Sequence, residues 1–164
     1  MAEENLDRNM MEEDTQYGKF LTFTLGKEIF GIEIKHVTEI IGMQVITEVP
    51  EVPVFVKGII NLRGKIIPVI DVRLKFKKEE VPYDDRTCIV VIDINDVSIG
   101  LIVDNVAEVL SIADENIAAP PGNKTGFENK YIKGIGKSGT DVILLLEGLK
   151  LLKNEEVAIL EGIL

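Results

Sequence analysis

The chain has 164 residues, 46% of them hydrophobic and 5% aromatic, with no Trp, one Cys and one His, and its 28 acidic residues against 18 basic ones give a formal net charge of −10. That length suits one domain or two intimately packed small ones, and that charge argues against the basic face by which proteins bind nucleic acid or an anionic membrane surface. One Cys and one His exclude a disulfide framework and any ordinary His/Cys metal centre, and they fit a reducing compartment.

Residues 1–15 carry Glu3, Glu4, Asp7, Glu12, Glu13 and Asp14 against Arg8 alone, half of the net excess. Such a segment buries too little apolar surface to offset its ordering entropy, so a flexible, solubilising tail is expected. It has neither the basic n-region nor the apolar h-region of a secretory signal. From Lys19 the texture changes. KFLTFTL and EIFGIEI, separated by Gly26-Lys27, predict a β-hairpin. GIINLRGKIIPVIDV predicts two β-branched strands that turn at Arg63-Gly64-Lys65. CIVVIDINDVSIGLIVDNV repeats the first pattern around Asn95-Asp96, and KYIKGIGKSGTDVILLLEGLKLL repeats the second around Ser138-Gly139-Thr140. Pro50, Pro53, Pro120 and Pro121 mark two longer connections, and LKLLKNEEVAIL has the spacing of a short C-terminal helix. No run reaches 18 uninterrupted apolar residues, so no spanning helix is predicted. Short strands with closely spaced turns point to small barrels rather than βαβ units.

The sequence also repeats itself. An offset of 69, which carries Gly31 onto Gly100, lays FLTFTLGKEIFGIEIKHVTEII on IVVIDINDVSIGLIVDNVAEVL without gaps and matches Val37 with Val106 and Glu39 with Glu108. An offset of 76, which carries Gly58 onto Gly134, lays VKGIINLRGKIIPVID on IKGIGKSGTDVILLLE. The longer second offset falls in PPGNKTGFENK, where a loop absorbs extra residues cheaply. The expectation is an all-β chain of two pseudo-symmetric small barrels sharing a hydrophobic seam. The first barrel is expected over residues 16–85, the second over 86–152 and a helical segment over 153–164. How the first strand is shared between the barrels stays open.

Reactive constellations are missing from the pattern. Gly136-Lys137-Ser138 resembles the end of a P-loop, but Tyr131 stands where the first glycine belongs. Asp93-Ile94-Asn95-Asp96 resembles an EF-hand start, but Ser98 takes the place of the glycine. His36 and Cys88 have no partners for nucleophilic or metal chemistry, and Asp71 and Glu147 end equivalent strands of the two repeats, so symmetry accounts for them better than a carboxylate pair does.

The block VKGIINLRGKIIPVIDVR, preceded by FGIEIKHVTEIIG, closely resembles the CheW-like family of chemotaxis coupling proteins. The likeness runs from about Tyr17 to Leu152 and is densest from Gly58 to Asp71. It implies two SH3-like five-stranded barrels, no enzymatic activity, no cofactor and no metal. It implies a cytoplasmic adaptor, recruited to membrane receptor arrays without inserting in the membrane. That adaptor would link the histidine kinase CheA, through the kinase's own CheW-like regulatory domain, to the cytoplasmic tips of methyl-accepting chemoreceptors. The chain has no room for a kinase or receiver domain, so the stand-alone coupling form is expected.

Matched residue by residue, the resemblance assigns receptor binding to Val37, Glu39, Arg63, Gly100, Val106 and Val109. It implies a kinase contact on the first barrel, where Ile41, Met43, Val45 and Val54, apolar residues around the Pro-punctuated connection MQVITEVPEVPVF, are the candidates for kinase binding. Phe127 is the candidate for a second-barrel ring contact with the kinase, and Gly58 and Gly64 are read as turn glycines. The alternative reading is a small-molecule or oligonucleotide-binding β-barrel module, against which the charge and the scarcity of aromatic residues weigh.

Overall fold

The computed structural model describes residues 16–94, 96–120, 131–151 and 154–163. The expected acidic tail lies outside them. The strands are β1 (Lys19–Leu25), β2 (Glu28–Glu33), β3 (Val37–Gly42), β4 (Val56–Leu62), β5 (Lys65–Asp71), β6 (Cys88–Ile94), β7 (Val97–Val103), β8 (Asn105–Ser111), β9 (Ile117–Ala118), β10 (Ile132–Ser138) and β11 (Asp141–Leu146). A short helix α1 (Val72–Lys75) follows β5, and α2 (Asn154–Ile163) follows the second repeat, where the apolar spacing predicted a helix. One sheet runs β8-β1-β2-β11-β10-β9 and the other β3-β6-β7-β5-β4. The chain is thus all-β with two packed sheets. The second repeat's sheet gains a sixth, two-residue strand, β9 on β10, whose counterpart in the first repeat is the single bridge Thr47–Ile59.

The duplication is structural, and the sheets do not divide at residue 86. Hairpin β1–β2 pairs with β8 and β11, strands of the second repeat, while hairpin β6–β7 pairs with β3 and β5, strands of the first. The two repeats exchange their leading hairpins. The pairings match one for one: β1 on β8 and β6 on β3 are antiparallel, β2 on β11 and β7 on β5 are parallel. Even the irregularities match. The register shifts between Val37 and Glu39 on β3 against β6, and between Leu21 and Phe23 on β1 against β8, at equivalent places in the two repeats. A threonine satisfies backbone at each bulge: Thr38 donates to the Val91 carbonyl at 3.0 Å, and Thr22 to the Glu108 carbonyl at 2.8 Å.

Strand alternation explains where the core sits. On β6, Ile89 and Val91 point into one barrel, while Val90, Ile92 and Ile94 point out of it into the seam. β7 is buried along its whole length, as VSIGLIV leads one to expect of a strand covered on both faces. The largest buried cluster is the seam itself, built from Leu21, Phe23, Phe30 and Ile32 on one sheet and Val90, Ile92, Ile99 and Leu101 on the other. Each such side chain contributes roughly 1.5–3 kcal/mol on burial, so the seam outweighs either barrel interior. Phe23, Phe30, Phe76 and Tyr131 run through it as a file, with centroids 5.8, 5.5 and 5.5 Å apart. Leu160 of α2 closes one side, fully buried in the same cluster.

Two glycines show why the repeats share them. A Cβ on Gly100 would stand 2.8 Å from side-chain atoms of Ile89 and Val69, and one on Gly31 3.1 Å from Leu145. Both are packing glycines inside a barrel. Gly58 is not the turn residue expected. It sits within β4 at a bulge, with φ 147°, where a Cβ would fall on the carbonyl of Thr47. Gly64 does make a turn, with φ 86°, and its N–H donates to Asn61 Oδ1 at 2.8 Å.

Candidate interaction surfaces

Glu39 lies on the bulge of edge strand β3, and Arg63 at the tip of hairpin β4–β5. The guanidinium donates from both terminal nitrogens to both carboxylate oxygens, each at 2.9 Å. That fork holds the Arg63 pKa above its ordinary value, mainly through the hydrogen bond to Glu39. The backbone at Arg63 is left-handed, with φ 51°. Its repeat mate is Gly139, which makes the same turn with φ 61°. Glycine adopts that conformation freely and arginine does not. A strained arginine where glycine suffices for the turn is explained by what its side chain reaches.

Val37 and Val106, repeat mates, are half-buried and pack against the seam cluster. Their cross-strand partners, Ile92 and Phe23, belong to that cluster. Val109 is 50% exposed, and so is its repeat mate Ile40, at 44%. Both face the seam side of their edge strands, opposite Leu21 and Val90. No sequence motif singles out Ile40. Its equivalence to Val109 is the signal that finds it. Gly100 is buried between Val69 and Ile89, so it can influence a partner only through packing and does not touch one.

The residues assigned to the kinase separate into two groups. Val45 is 90% exposed and Val54 78% exposed, on the Pro-punctuated connection between β3 and β4. Ile41 and Met43 are half-buried against the interior of the first barrel, where they pack with Ile60, Val69 and Ile89. Phe127 lies outside the described residues. The motif Gly136-Lys137-Ser138 is the end of β10, leading into the turn of hairpin β10–β11 rather than into a helix. An interior cavity beside Lys75, Ile94 and Leu151 measures about 10 Å³, room for one water molecule and not for a nucleotide or metabolite. No group of three or more His, Cys, Asp or Glu among the described residues is arranged to hold a metal.

The sequence profile of the CheW-like domain matches residues 19–156. The chain belongs to the CheW family. It is 39% identical over 145 residues to the chemotaxis protein CheW of Klebsiella aerogenes, covering 88% of this chain and 87% of that one. The chemotaxis protein CheW of Treponema pallidum is 33% identical over 152 residues, 90% of this chain and 89% of its own. Among solved structures, the scaffolding protein TtCheW from Thermoanaerobacter tengcongensis superposes with a TM-score of 0.78 at 35% identity, over 85% of this chain and 94% of that one. The CheW-type architecture of paired all-β barrels, expected from the repeats, is therefore present, with the hairpin exchange as its connectivity. No helix among the described residues is long and apolar enough to cross a membrane.

Proposed function

We propose that this CheW-family chain is a non-catalytic adaptor that joins the histidine kinase CheA, through its CheW-like regulatory domain, to the cytoplasmic tips of chemoreceptors. It works in the cytoplasm, recruited to receptor arrays at the membrane by that contact. The observation that carries this reading is the Glu39–Arg63 fork: an exposed, bidentate ion pair on a strained turn, placed on the edge strand that also presents Ile40. An exposed pair contributes little to folding, so its chemistry is available to set the register of a partner.

The receptor face comprises Val37, Glu39, Arg63, Val106 and Val109, to which Ile40 is added, with Gly100 supporting them from within. The kinase face comprises the open Val45 and Val54, with Ile41 and Met43 packed against the interior of the first barrel. The adaptor changes no bonds. It shifts the kinase between conformations by contacting them unequally. Binding is measured with purified kinase regulatory domain and with a soluble receptor tip fragment. The double variant Val45→Ser/Val54→Ser is expected to lose the kinase and keep the receptor. Arg63→Ala or Glu39→Ala is expected to weaken the receptor and leave the fold intact. Failure of the wild-type chain to bind the kinase domain at tens of micromolar overturns the reading.

A further inference from the structure

The two edge strands carry the same acidic residue in two different states. Glu39 and Glu108 are repeat mates at matching bulges. Glu39 is engaged by Arg63. Glu108 is exposed, and its carboxylate makes no ion pair or hydrogen bond with any described residue; only its backbone is bonded, to Thr22. The cause is visible one hairpin away. The turn of β10–β11 holds Gly139 where the turn of β4–β5 holds Arg63, in the same left-handed conformation. The second repeat therefore has the carboxylate, the bulge that presents it and the turn, and lacks the guanidinium. Beside Glu108 stands Val109, 50% exposed, as Ile40 stands beside Glu39.

We infer that Glu108 is a receptor-binding residue, and that the arginine this repeat lacks is supplied in trans by the bound chemoreceptor segment, with Val109 as the apolar contact at its side. The inference rests on the receptor reading given above and specifies the chemistry of that partner. Charge favours it, since a chain of net charge −10 meets a cationic side chain with long-range attraction. A planar guanidinium matches a carboxylate in two bonds where an ammonium does not. Successive side chains of a strand point to opposite faces, so a segment lying along the free edge of β8 reaches Val109 and Glu108 together.

The test uses the full chain and a soluble chemoreceptor tip fragment from the same cell, with affinity measured at low and high salt. Glu108→Gln is expected to weaken binding about five- to tenfold at low salt, with the deficit shrinking at high salt. Val109→Ala is expected to weaken binding at both. Gly139→Arg supplies the missing guanidinium in cis; no atom lies within 4 Å of the added Cβ. It is expected to mask Glu108, weakening receptor binding severalfold, with no further loss when combined with Glu108→Gln. Should the Gly139 variant fail to fold, Glu108→Gln alone decides, because that side chain is exposed. Replacing the receptor fragment's arginines by glutamine one at a time is expected to reveal one whose loss is not additive with Glu108→Gln. Unchanged affinity of Glu108→Gln at both salts, with Val109→Ala still weakened, overturns the inference and leaves the receptor reading standing. Absence of any wild-type binding to the fragment overturns both.

Discussion

The chain crosses between its sheets twice, and the two crossings use different chemistry. From β7 to β8 the crossing is Asp104 alone. Its carboxylate accepts from Arg73 Nε at 2.7 Å and from a terminal nitrogen of the same guanidinium, and from the Gly26 N–H at 2.7 Å. Its own N–H donates to the Thr24 carbonyl at 3.2 Å. One carboxylate thus ties α1, the turn of the exchanged hairpin β1–β2 and the seam together. From β2 to β3 the crossing is a turn of 3-10 helix, Ile34–His36. There the mate of Asp104 is Lys35, which pairs with Glu33 at 3.1 Å, and the His36 ring packs on Gly148. The same path through the seam is therefore held by a half-buried charge on one side and mostly by packing on the other. Duplicated topology does not require duplicated chemistry, and the sites where the copies differ are where each can be altered alone.

The severest way to break the comparison is to part the repeats. Because each hairpin completes the other repeat's sheet, fragments 16–85 and 86–164 each lose two strands of their sheet and half of the seam. Neither is expected to fold alone, and circular dichroism of the separate fragments checks it; a cooperative melt from either would show that its hairpin can close on its own repeat. Next in size are the packing glycines. Gly100→Ala places a methyl 2.8 Å from two side chains and Gly31→Ala 3.1 Å from its nearest. The first is expected to cost about 1–3 kcal/mol, as overpacking in a full core does, and the second less. Equal losses by chemical denaturation would mean that the two interiors are equally tight.

How much of this the sequence discloses follows from what an apolar pattern encodes. The hairpins, their turns and the C-terminal helix are legible because period and turn residues are local. The duplication is legible because Gly31 and Gly100 coincide at a fixed offset. The exchange is not, because β1 and β2 would bury the same faces whether they joined their own repeat's sheet or the other's. Pairing within a sheet is set by the crossings, and nothing in Ile34–His36 or Asp104 announces a direction. At the site, Glu39 and Arg63 stand out by family resemblance, while their pairing is visible only in three dimensions. Gly100 counts as a receptor-binding position by resemblance alone, because a motif position carries no burial. Ile40 does not stand out, because it reads as one more apolar strand residue.

The crossings themselves differ in their response to acid. Arg73→Ala strands the carboxylate of Asp104 and is expected to cost roughly 1–2 kcal/mol, the scale for a partly buried, charge-assisted pair. The bond from Arg73 holds the Asp104 pKa below its ordinary value. Its stabilisation is thus complete above the unfolded carboxylate range near pH 3.9 and is lost as pH falls through the lower folded value. At the other crossing, burial lowers the His36 pKa, reinforced by Lys35 and opposed by Glu147. The unfolded chain then takes up the proton first, so stability declines as pH drops below about 6.5 and levels off under the folded value. His36→Gln is expected to flatten the profile between those limits while Arg73→Ala leaves that stretch alone and alters only the acid end. Denaturation midpoints across pH separate the two; an unchanged slope near pH 6 in His36→Gln would remove histidine as its source.

The smallest expected effect on stability is also the sharpest comparison of the two turns. Arg63→Ala removes the fork to Glu39 and keeps a side chain at φ 51°, whereas Arg63→Gly removes the fork and installs the residue that Gly139 already uses at φ 61°. The glycine variant is expected to melt above the alanine variant, because it alone relieves the left-handed backbone. Both are expected to bind a receptor tip fragment equally poorly, since binding reads the guanidinium and melting reads the backbone. A glycine variant that binds like the wild type would leave the strain at Arg63 without a function, and identical melting of the two variants would mean that the turn imposes no strain there.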